Sequence, residues 1–389
     1  MNNNLLVIMA GGTGGHVFPG LAVANHMREK DWNIEWIGTA DKMEAQLVPK
    51  HGFAIHFIKI GGLRGKSLIT KLLTPFKLLG ALLQSITLLR KLKPSVVLGM
   101  GGYASGPGGI AAWLLNIPLI VHEQNAVFGM TNRYLARLAT YTLTGFDLSS
   151  LQDADNTKRL PVNVNYVGNP IRKGFFDIAP SHLTNSNQVS NNPQHTTTNN
   201  ILIVGGSLGA LALNQIVPRI LLTLSRDFSI SVMHQSGKNK YIQVQEAYQN
   251  MPNVEVIEFI DNMESAFSWA DIIICRAGAL TVAEVAGAGR VAIFVPLPIA
   301  VDDHQTANAK YLSDQGAAIL IPQAQLDSAL LSILNDLCHS AKRRQEMALK
   351  AKSCAHRNAT TEVATFIEKA VKIKLTSKDN SNEKERRGQ

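Results

Sequence analysis

The sequence predicts an α/β protein built from two doubly wound parallel-sheet domains. Two observations lead to this fold class: apolar strand patterns alternate with helix patterns along the chain, and one pattern of strand, glycine-rich turn and helix recurs in the second half. The 389 residues are enough for two domains of ordinary size. We therefore expect two similar halves that face each other across a cleft.

The first half opens with a strand, a turn and a helix. Residues 5–9 form an apolar run that ends in glycines, residues 19–30 have a helical pattern, and residues 34–37 form a second short strand. Three later apolar runs predict further strands of the same sheet, at residues 96–99, 119–122 and 141–144. We expect this domain to span residues 1–170.

The pattern restarts after a polar linker at residues 180–200. A strand at residues 201–204 is followed by a glycine-rich turn, a helix to about residue 223 and a strand at residues 230–234. Two later runs predict strands at residues 272–275 and 291–295. We expect a second domain over residues 171–355, a C-terminal helix near 356–375 that packs back on the first domain, and a flexible tail at 376–389.

Composition excludes several classes of protein. With 46% hydrophobic and 17% charged residues the chain is expected to fold, and three cysteines without a C-x-x-C spacing indicate free thiols in the cytoplasm. The N-terminus lacks the basic cluster of a signal peptide. Residues 78–89 are too few to span a bilayer and residues 94–122 hold six glycines and three prolines, so no transmembrane helix is predicted.

The net charge of +9 lies in one segment. No acidic residue occurs between Glu44 and Glu123, whereas nine lysines and arginines do, and the rest of the chain is balanced. A basic span of this kind suits an anionic membrane surface. No nucleic-acid partner is expected.

The first glycine-rich turn, residues 11–15, has the composition of an anion site at a helix N-terminus. It is not a dinucleotide fingerprint, because Val17 occupies the third glycine position, nor a P-loop, because no Lys-Ser/Thr pair follows. His16 lies at the start of the helix, where a near-neutral imidazole can act as a general base. The alternative is a structural turn with a hydrogen-bonded histidine.

Two further segments of the first half carry polar groups. Residues 101–107 are a second glycine-rich turn that follows a strand. Four consecutive polar residues stand at the end of the next strand, where open α/β sheets bind ligands: His122, Glu123, Gln124 and Asn125. These four either face a ligand or satisfy one another and the loop backbone.

The second half offers groups suited to a nucleotide sugar. Residues 205–209 repeat the phosphate-binding composition, and residues 276–284 place a turn and a helix start after a strand. Glu284 on that helix can accept both hydroxyls of a ribose, and residues 302–308 supply amides and hydroxyls. Asp153 and Asp155 form a D-x-D pattern in a polar stretch that indicates an exposed loop, so neither a metal nor a cofactor is expected.

Together these segments closely resemble a bacterial GT-B glycosyltransferase family, the inverting enzymes that convert lipid I to lipid II in peptidoglycan synthesis. The resemblance covers nearly the whole chain and rests on seven motifs in order: GGTGGHVFPGLAVA, GGYASGPGG, HEQNAVFGMTNRYLA, GNPIR, GGSLGA, RAGALTVAEVAGAG and VDDHQTANA. It implies two Rossmann-like domains and a peripheral location on the cytoplasmic face of the inner membrane. It also implies roles in cell-wall biogenesis, cell shape and cell division, with other cell-wall or division proteins as partners.

The resemblance implies that UDP-N-acetylglucosamine is the donor. The acceptor is then the C4 hydroxyl of N-acetylmuramic acid on an undecaprenyl-diphosphate carrier, and the new linkage is β(1→4). Donor contacts are implied at Thr13, Gly14, Gly15, Asn125, Arg172, Ser207, the Ile260 backbone, Ala279, Leu280, Thr281, Val282, Ala283, Glu284 and Gln305.

The acceptor diphosphate is expected on the glycine loops of the first half, at Gly12, Gly14, Gly15, Gly102, Tyr103 and Ser105. His16 is the preferred base for the acceptor hydroxyl, with Glu123 as the competing candidate. Without a metal, the helix N-terminus after Gly209 and the Arg172 side chain would stabilise the departing UDP.

One departure is that Ile299 stands where members of the family often carry a histidine. Two alternatives remain open. A UDP-N-acetylglucosamine 2-epimerase has a similar two-domain fold but needs no lipid-facing surface, and a nucleotide-sugar-binding scaffold would have no activity at all.

The basic span predicts how a chain without a spanning helix reaches a lipid acceptor. The membrane patch is expected to consist of Leu68, Ile69, Lys71, Leu72, Leu73, Phe76 and Lys77, with Arg64 and Lys66 at its rim. Each basic residue near an anionic surface contributes about 1 kcal/mol to binding. The alternative is that surplus leucines of the helix that starts at Thr74 pack under the loop at residues 61–74.

Overall fold

The computed structural model describes residues 4–60, 74–148, 163–179, 198–206, 208–298 and 303–387, with side chains described as far as residue 374. The chain divides into two compact units. The first comprises Met1–Ile171 with Asn358–Gln389, and the second comprises Arg172–Arg357. Each unit contains one parallel sheet with helices packed on it, which confirms the predicted fold class.

The first unit is built on seven parallel strands. They are β1 (Leu5–Ala10), β2 (Asn33–Gly38), β3 (Ala54–Phe57), β4 (Val96–Gly101), β5 (Leu119–Glu123), β6 (Tyr141–Thr144) and β7 (Val164–Tyr166). Their spatial order is β3-β2-β1-β4-β5-β6-β7, so the order reverses between β1 and β4. Open α/β sheets bind ligands outside the carboxyl ends of strands at such a reversal.

Helices cover both faces of this sheet. Those that precede the second unit are α1 (Gly14–Arg28), α2 (Glu44–Lys50), α3 (Thr74–Leu92), α4 (Ser105–Leu114) and α5 (Met130–Leu135). Along β1, Leu6, Ile8 and Ala10 belong to one buried cluster and Val7 and Met9 to another, as expected when alternate side chains point to opposite covered faces. The continuous apolar run of β1 follows from this double burial.

The second unit repeats the plan with six parallel strands. They are β8 (Asn199–Val204), β9 (Ile230–Gln235), β10 (Val254–Ile257), β11 (Ile272–Cys275), β12 (Val291–Phe294) and β13 (Ile319–Leu320), in the spatial order β10-β9-β8-β11-β12-β13. Its helices are α6 (Leu211–Leu224), α7 (Tyr241–Ala247), α8 (Met263–Trp269), α9 (Ala279–Ala288), α10 (His304–Ser313), α11 (Leu326–His339) and α12 (Ala341–Ser353). The order reverses between β8 and β11, directly beside the second glycine loop.

The last helix, α13 (Ala359–Arg387), belongs to the first unit and packs on α1 and on strands β4 to β6. The sequence predicted a frayed tail from residue 376, but the helix continues to Arg387. No proline or glycine interrupts it before Gly388, which explains the extra length. None of the helices in the described ranges is both long and apolar enough to cross a bilayer.

Helix α1 begins earlier than the sequence predicted. It starts at Gly14 rather than Pro19, so Pro19 lies inside the helix and cannot donate to the carbonyl of Gly15. His16 is therefore the third residue of the helix. The D-x-D pattern, Ile299 and nearly all of the polar linker lie outside the described residues.

Candidate functional site

Two glycine loops of the first unit lie against each other. Gly102 has φ +87°, and a Cβ there would lie 2.3 Å from the Gly11 carbonyl oxygen. Gly101 has φ +99°, and a Cβ there would lie 2.9 Å from Cε1 of His16. The structure thus brings together the loops that follow β1 and β4, with the His16 ring packed on the second.

Glu44, for which the sequence predicts no role, is buried behind the first loop. Its carboxyl accepts hydrogen bonds from the Gly12 N–H (2.9 Å) and from the N–H and hydroxyl of Thr39 (3.0 and 2.7 Å). A Cβ at Gly11 would lie 2.4 Å from Glu44 Oε1. The Gly12 N–H that was predicted to meet the acceptor diphosphate is therefore already donated to this carboxyl group.

Ser105 was also predicted to contact the diphosphate, but it is completely buried. Its hydroxyl lies 2.9 Å from the Met9 carbonyl and 2.8 Å from the Gly101 carbonyl, and it accepts from the Gly101 N–H at 3.1 Å. Because these contacts join the ends of β1 and β4, the role of Ser105 in this structure is to hold the two loops together.

A chain of hydrogen bonds joins His16 to the interior of the first unit. Nδ1 of His16 lies 2.9 Å from Oε1 of Gln124, and Nε2 of Gln124 lies 3.1 Å from Nδ1 of His122. Nε2 of His122 lies 3.0 Å from the Gly168 carbonyl oxygen. Burial lowers the pKa of His122 to about 4, so this ring is neutral at physiological pH.

Glu123 has both carboxylate oxygens occupied. Oε1 accepts from the backbone and side-chain N–H groups of Asn125, each at 3.0 Å, and Oε2 accepts from Gly129 N (3.0 Å) and Asn132 Nδ2 (2.9 Å). The residue is only 1% exposed. Glu123 therefore orders the loop that carries Asn125, and this geometry favours His16 over Glu123 as the base.

The remaining predicted groups of the first unit stay accessible. Thr13 is exposed, Gly14 and Gly15 are half-buried in the first turn of α1, and the Tyr103 side chain is 43% exposed. The first N–H groups of a helix have no partner within the helix and can bind an anion. Contacts of these residues with the substrates stay predictions.

In the second unit, the glycine loop after β8 packs against the loop after β9. Gly209 has φ +67°, and a Cβ there would lie 2.0 Å from the Ser236 carbonyl oxygen. The Lys240 ammonium group donates to the Leu208 carbonyl at 2.8 Å and places a positive charge beside the loop. Ser207, predicted as a donor contact, lies outside the described residues.

A buried histidine, His234, supports the loop after β9. His234 Nε2 lies 3.1 Å from Oδ1 of Asn214, whose Nδ2 donates to the Ser236 carbonyl at 2.9 Å. His234 Nδ1 lies 2.9 Å from the Tyr248 hydroxyl, and burial lowers the pKa of His234 to about 3. The chain of polar groups therefore ends on the Ser236 carbonyl, in the loop after β9 against which the glycine loop packs.

Arg172 and Glu284, both predicted to bind the donor, lie together. Arg172 Nη2 is 3.6 Å from Glu284 Oε1, and Arg172 Nη1 is 3.1 Å from Glu264 Oε2. The guanidinium also lies over the Phe175 ring at 5.0 Å. Burial raises the pKa of the Glu284 carboxyl to about 8, while the Arg172 charge acts in the opposite direction.

The predicted stretch from Ala279 to Glu284 forms the start of α9, with Gly278 as its N-cap. Within this stretch Thr281 and Ala283 are half-buried, whereas Ala279, Leu280, Val282 and Glu284 are buried. Backbone contacts of the buried residues stay predictions.

Two other residues predicted to contact the donor are partly or fully buried. Gln305 is half-buried and its Oε1 accepts from the Leu297 N–H at 3.0 Å, while Ile260 is buried in the loop after β10. Asn308 fixes the turn before α9 by donating to the Ala277 carbonyl at 3.1 Å. Within the described ranges no three His, Cys, Asp or Glu side chains are grouped to hold a metal ion.

Glu44, Gln124 and Glu264 shape the site although the sequence assigned them no role of their own. Each acts on a residue distant in the chain: Gln124 meets His16 across 108 positions and Glu44 meets Gly12 across 32. Gln124 belongs to the polar run at the end of β5. One of the two interpretations of that run was that its side chains hydrogen-bond to one another and to the loop backbone. For Glu44 and Glu264 no local pattern gave a signal.

Two family models match this chain, one in each half. The model of the Glycosyltransferase family 28 N-terminal domain matches residues 6–144, and that of the Glycosyltransferase family 28 C-terminal domain matches residues 200–363. A curated relative from Tolumonas auensis is 50% identical over 363 residues, which is 92% of this chain and 97% of that protein. A relative from Shewanella sediminis is 46% identical over 96% of this chain and 98% of its own length.

Both relatives are named UDP-N-acetylglucosamine--N-acetylmuramyl-(pentapeptide) pyrophosphoryl-undecaprenol N-acetylglucosamine transferase. The crystal structure of MurG from Acinetobacter baumannii is 41% identical, with a TM-score of 0.77 over 94% of this chain and 99% of that one. A UDP-N-acetylglucosamine 2-epimerase from Neisseria meningitidis has a TM-score of 0.65 over 94% of this chain and all of its own. At 14% identity the epimerase shows only that the fold is shared.

Proposed function

The chain belongs to glycosyltransferase family 28, and we propose that it transfers N-acetylglucosamine from UDP-N-acetylglucosamine to lipid I. The sugar is joined to the C4 hydroxyl of N-acetylmuramic acid on undecaprenyl diphosphate, with inversion, and the product is lipid II. The observation that carries this proposal is the identity of 46 to 50% with transferases of that name over at least 92% of the chain.

The second unit holds the nucleotide. The glycine loop after β8 ends in the N-terminus of α6, whose free N–H groups suit a diphosphate, and Glu284 suits the two ribose hydroxyls. The Arg172 guanidinium pairs with both Glu284 and Glu264, so it links the ribose-binding carboxylate to a second carboxylate on α8. Arg172 and the helix N-terminus stabilise the charge on the departing UDP.

The first unit supplies the base. In an inverting transfer the C4 oxygen bonds to the anomeric carbon while the bond from that carbon to the UDP oxygen breaks, and the hydroxyl proton needs an acceptor. His16 provides it, because its ring is half-buried at the mouth of two glycine loops. Glu123 has four hydrogen bonds and serves the loop instead.

The chain reaches its lipid acceptor through an apolar surface on the first unit. The described part of the predicted patch is limited to Phe76, which is 73% exposed, and the exposed Lys77. On α3 the stripe continues with Leu79 and Leu83, at helical spacing from Phe76 and each more than half exposed. The buried face of the same helix is a different one, formed by Ala81, Ser85 and Leu89.

Helix α4 packs against α3 and carries two further exposed apolar residues, Trp113 and Leu114, each about half exposed. Arg90 and Lys91 are exposed at the end of α3. We call Phe76, Leu79 and Leu83 the apolar surface. Apolar side chains beside basic ones suit reversible binding to an anionic membrane at the cytoplasmic face.

The test uses radiolabelled UDP-N-acetylglucosamine with and without a short-chain lipid I analogue. Transfer of label to the acceptor, dependent on that acceptor, is the expected result. Conversion of the donor to its 2-epimer without acceptor would support the epimerase alternative, and retention of unchanged donor would support a binding scaffold. Either of these two results contradicts the proposal.

A further inference from the structure

Gln124 lies between two histidines of the first unit, and its amide can face them in only one way. Gln124 is 1% exposed and His122 is fully buried. The Gln124 Nε2 atom lies 3.1 Å from His122 Nδ1 and 3.1 Å from the His122 carbonyl oxygen, while Oε1 lies 2.9 Å from His16 Nδ1.

Two backbone carbonyls fix the direction of this chain of hydrogen bonds. The Gly168 carbonyl only accepts, so His122 Nε2 carries a proton and, because the ring is neutral, His122 Nδ1 is a bare acceptor. The His122 carbonyl also only accepts. Both groups therefore require the NH₂ end of Gln124, and a flipped amide would set its oxygen against two acceptors.

The orientation of the amide decides the tautomer of His16. Because Oε1 of Gln124 only accepts, Nδ1 of His16 must be the N–H that donates to it. The neutral ring then has its lone pair on Nε2. Within the residues that the structure describes, no hydrogen bond to His16 Nε2 is found, and Gly101 packs directly against the ring.

We propose that Gln124 is a positioning residue that holds His16 in the Nδ1–H tautomer and thereby presents Nε2 as the proton acceptor. The inference rests on the proposed function for its catalytic meaning: the C4 hydroxyl proton passes to Nε2, its oxygen bonds to the anomeric carbon, and UDP leaves with the bonding electron pair. The tautomer itself is a property of the free protein.

The first measurement is the tautomer in the full-length chain without substrate. Protein labelled with ¹⁵N-histidine is studied by two-bond ¹H–¹⁵N spectroscopy at about pH 8.5, two units above the ordinary histidine pKa of about 6.5. His16→Ala identifies the His16 signals. We expect a protonated Nδ1 and a bare Nε2, and a His16 ring protonated on Nε2 would overturn the inference whether or not any variant folds.

The second measurement removes the Gln124 amide oxygen that accepts the hydrogen bond from His16 Nδ1. Gln124→Leu, of similar size, is expected to move His16 toward the Nε2–H tautomer and to lower kcat by about tenfold or more, with KM for the donor unchanged. Gln235→Leu is the matched control, because it removes a buried glutamine at the end of β9 in the second unit. The control should leave the His16 signals as in the wild type.

An unchanged His16 spectrum in Gln124→Leu would also overturn the inference. The outcomes separate it from the proposed function. If the wild-type chain transfers sugar but His16 is protonated on Nε2, only the role of Gln124 is wrong. If His16 has the expected tautomer and no transfer occurs, the tautomer stands and the proposed function fails.

Discussion

The two units share a strand, a glycine loop and a helix, and each places a buried neutral histidine behind that arrangement, but the histidines lead to different places. In the first unit His122 connects through Gln124 to the half-buried ring of His16. In the second unit His234 connects through Asn214 to the backbone of Ser236 and only braces the loop. The first arrangement ends on His16, which we propose as the proton acceptor, and the second ends on a backbone carbonyl.

The charged side chains beside the two glycine loops also differ between the units. Behind the first loop lies the Glu44 carboxyl, which takes the Gly12 N–H, so this loop is less suited to an anion than its glycines indicate. Beside the second loop lies Lys240, bonded to the Leu208 carbonyl, and the unit also contains Arg172. We therefore expect the same backbone plan to serve proton transfer in the first unit and diphosphate binding in the second.

The largest expected effect comes from breaking the first arrangement at His16. His16→Ala should lower kcat by about 10² to 10⁴, the usual cost of losing a general base, while UDP affinity measured by calorimetry is unchanged. His51→Ala, at an exposed histidine of the same unit, is the control and should keep full activity. Loss of UDP binding in His16→Ala would make the histidine structural and return Glu123 to consideration as the base.

A smaller effect is expected from the second unit. Removing a charged acceptor costs about 1.5 to 3 kcal/mol, so above about pH 8, where the carboxyl is ionised, Glu284→Ala should raise the Kd for UDP about ten- to a hundredfold. Acceptor binding should not change. Glu258→Ala removes another carboxylate of this unit, one that accepts from the Asn239 N–H, and serves as the control. Equal UDP affinity in Glu284→Ala and the wild type would remove Glu284 from the ribose site.

The pH dependence of UDP binding sharpens the same point. Burial raises the pKa of Glu284 to about 8, so the carboxyl of the free protein is mainly protonated at neutral pH. Only the ionised form accepts from both ribose hydroxyls, so affinity should rise with pH and level off above about pH 8, changing by up to about tenfold per pH unit below it. Calorimetry from about pH 7 to 9.5 should show this rise in the wild type and a flat profile in Glu284→Gln. A flat wild-type profile would argue against a titrating carboxyl in the site.

The smallest effect on chemistry is expected from the apolar surface. Phe76→Ser combined with Leu79→Ser and Leu83→Ser should abolish sedimentation with anionic liposomes, because these exposed side chains supply the insertion. Activity on a short-chain, water-soluble acceptor should stay within about twofold, since exposed positions contribute little to stability. Ile242→Ser, at a 72% exposed residue of the second unit, is the control.

High salt should also release the wild-type chain from the liposomes, because Lys77, Arg90 and Lys91 are solvent-exposed and salt screens their attraction to anionic lipids. Charge reversal at Lys66, Lys71 and Lys77 should have the same effect. If the triple serine variant binds as well as the wild type, the membrane surface lies elsewhere.

The sequence predicted most of the sheet, because buried parallel strands are continuous apolar runs: β6 and β11 match the predicted ranges, and β1 and β5 are each one residue longer than predicted. It also identified Arg172 and Glu284, which the structure brings together. It could not predict the contacts that assign roles. The glycines around Ser105 indicated a loop, but whether its hydroxyl faces outward or joins β1 to β4 depends on packing across the sheet.

The start of α1 shows the same limit. The helical pattern placed its start at Pro19, whereas the helix begins at Gly14. The residues around this start are held by Glu44 and Gln124, which are distant in the chain and leave no local signal in the sequence.

The most direct test of the division between the units is one UDP titration on two matched variants. In the first unit, Gly102→Ala places a methyl group 2.3 Å from the Gly11 carbonyl oxygen. In the second unit, Gly209→Ala places one 2.0 Å from the Ser236 carbonyl oxygen. Both glycines have positive φ, which alanine rarely adopts. If the second unit supplies the main nucleotide site, Gly209→Ala should weaken UDP binding by about tenfold or more and Gly102→Ala should leave it within about twofold, while slowing transfer. Equal losses of UDP affinity in the two variants, or a loss confined to Gly102→Ala, would contradict this division.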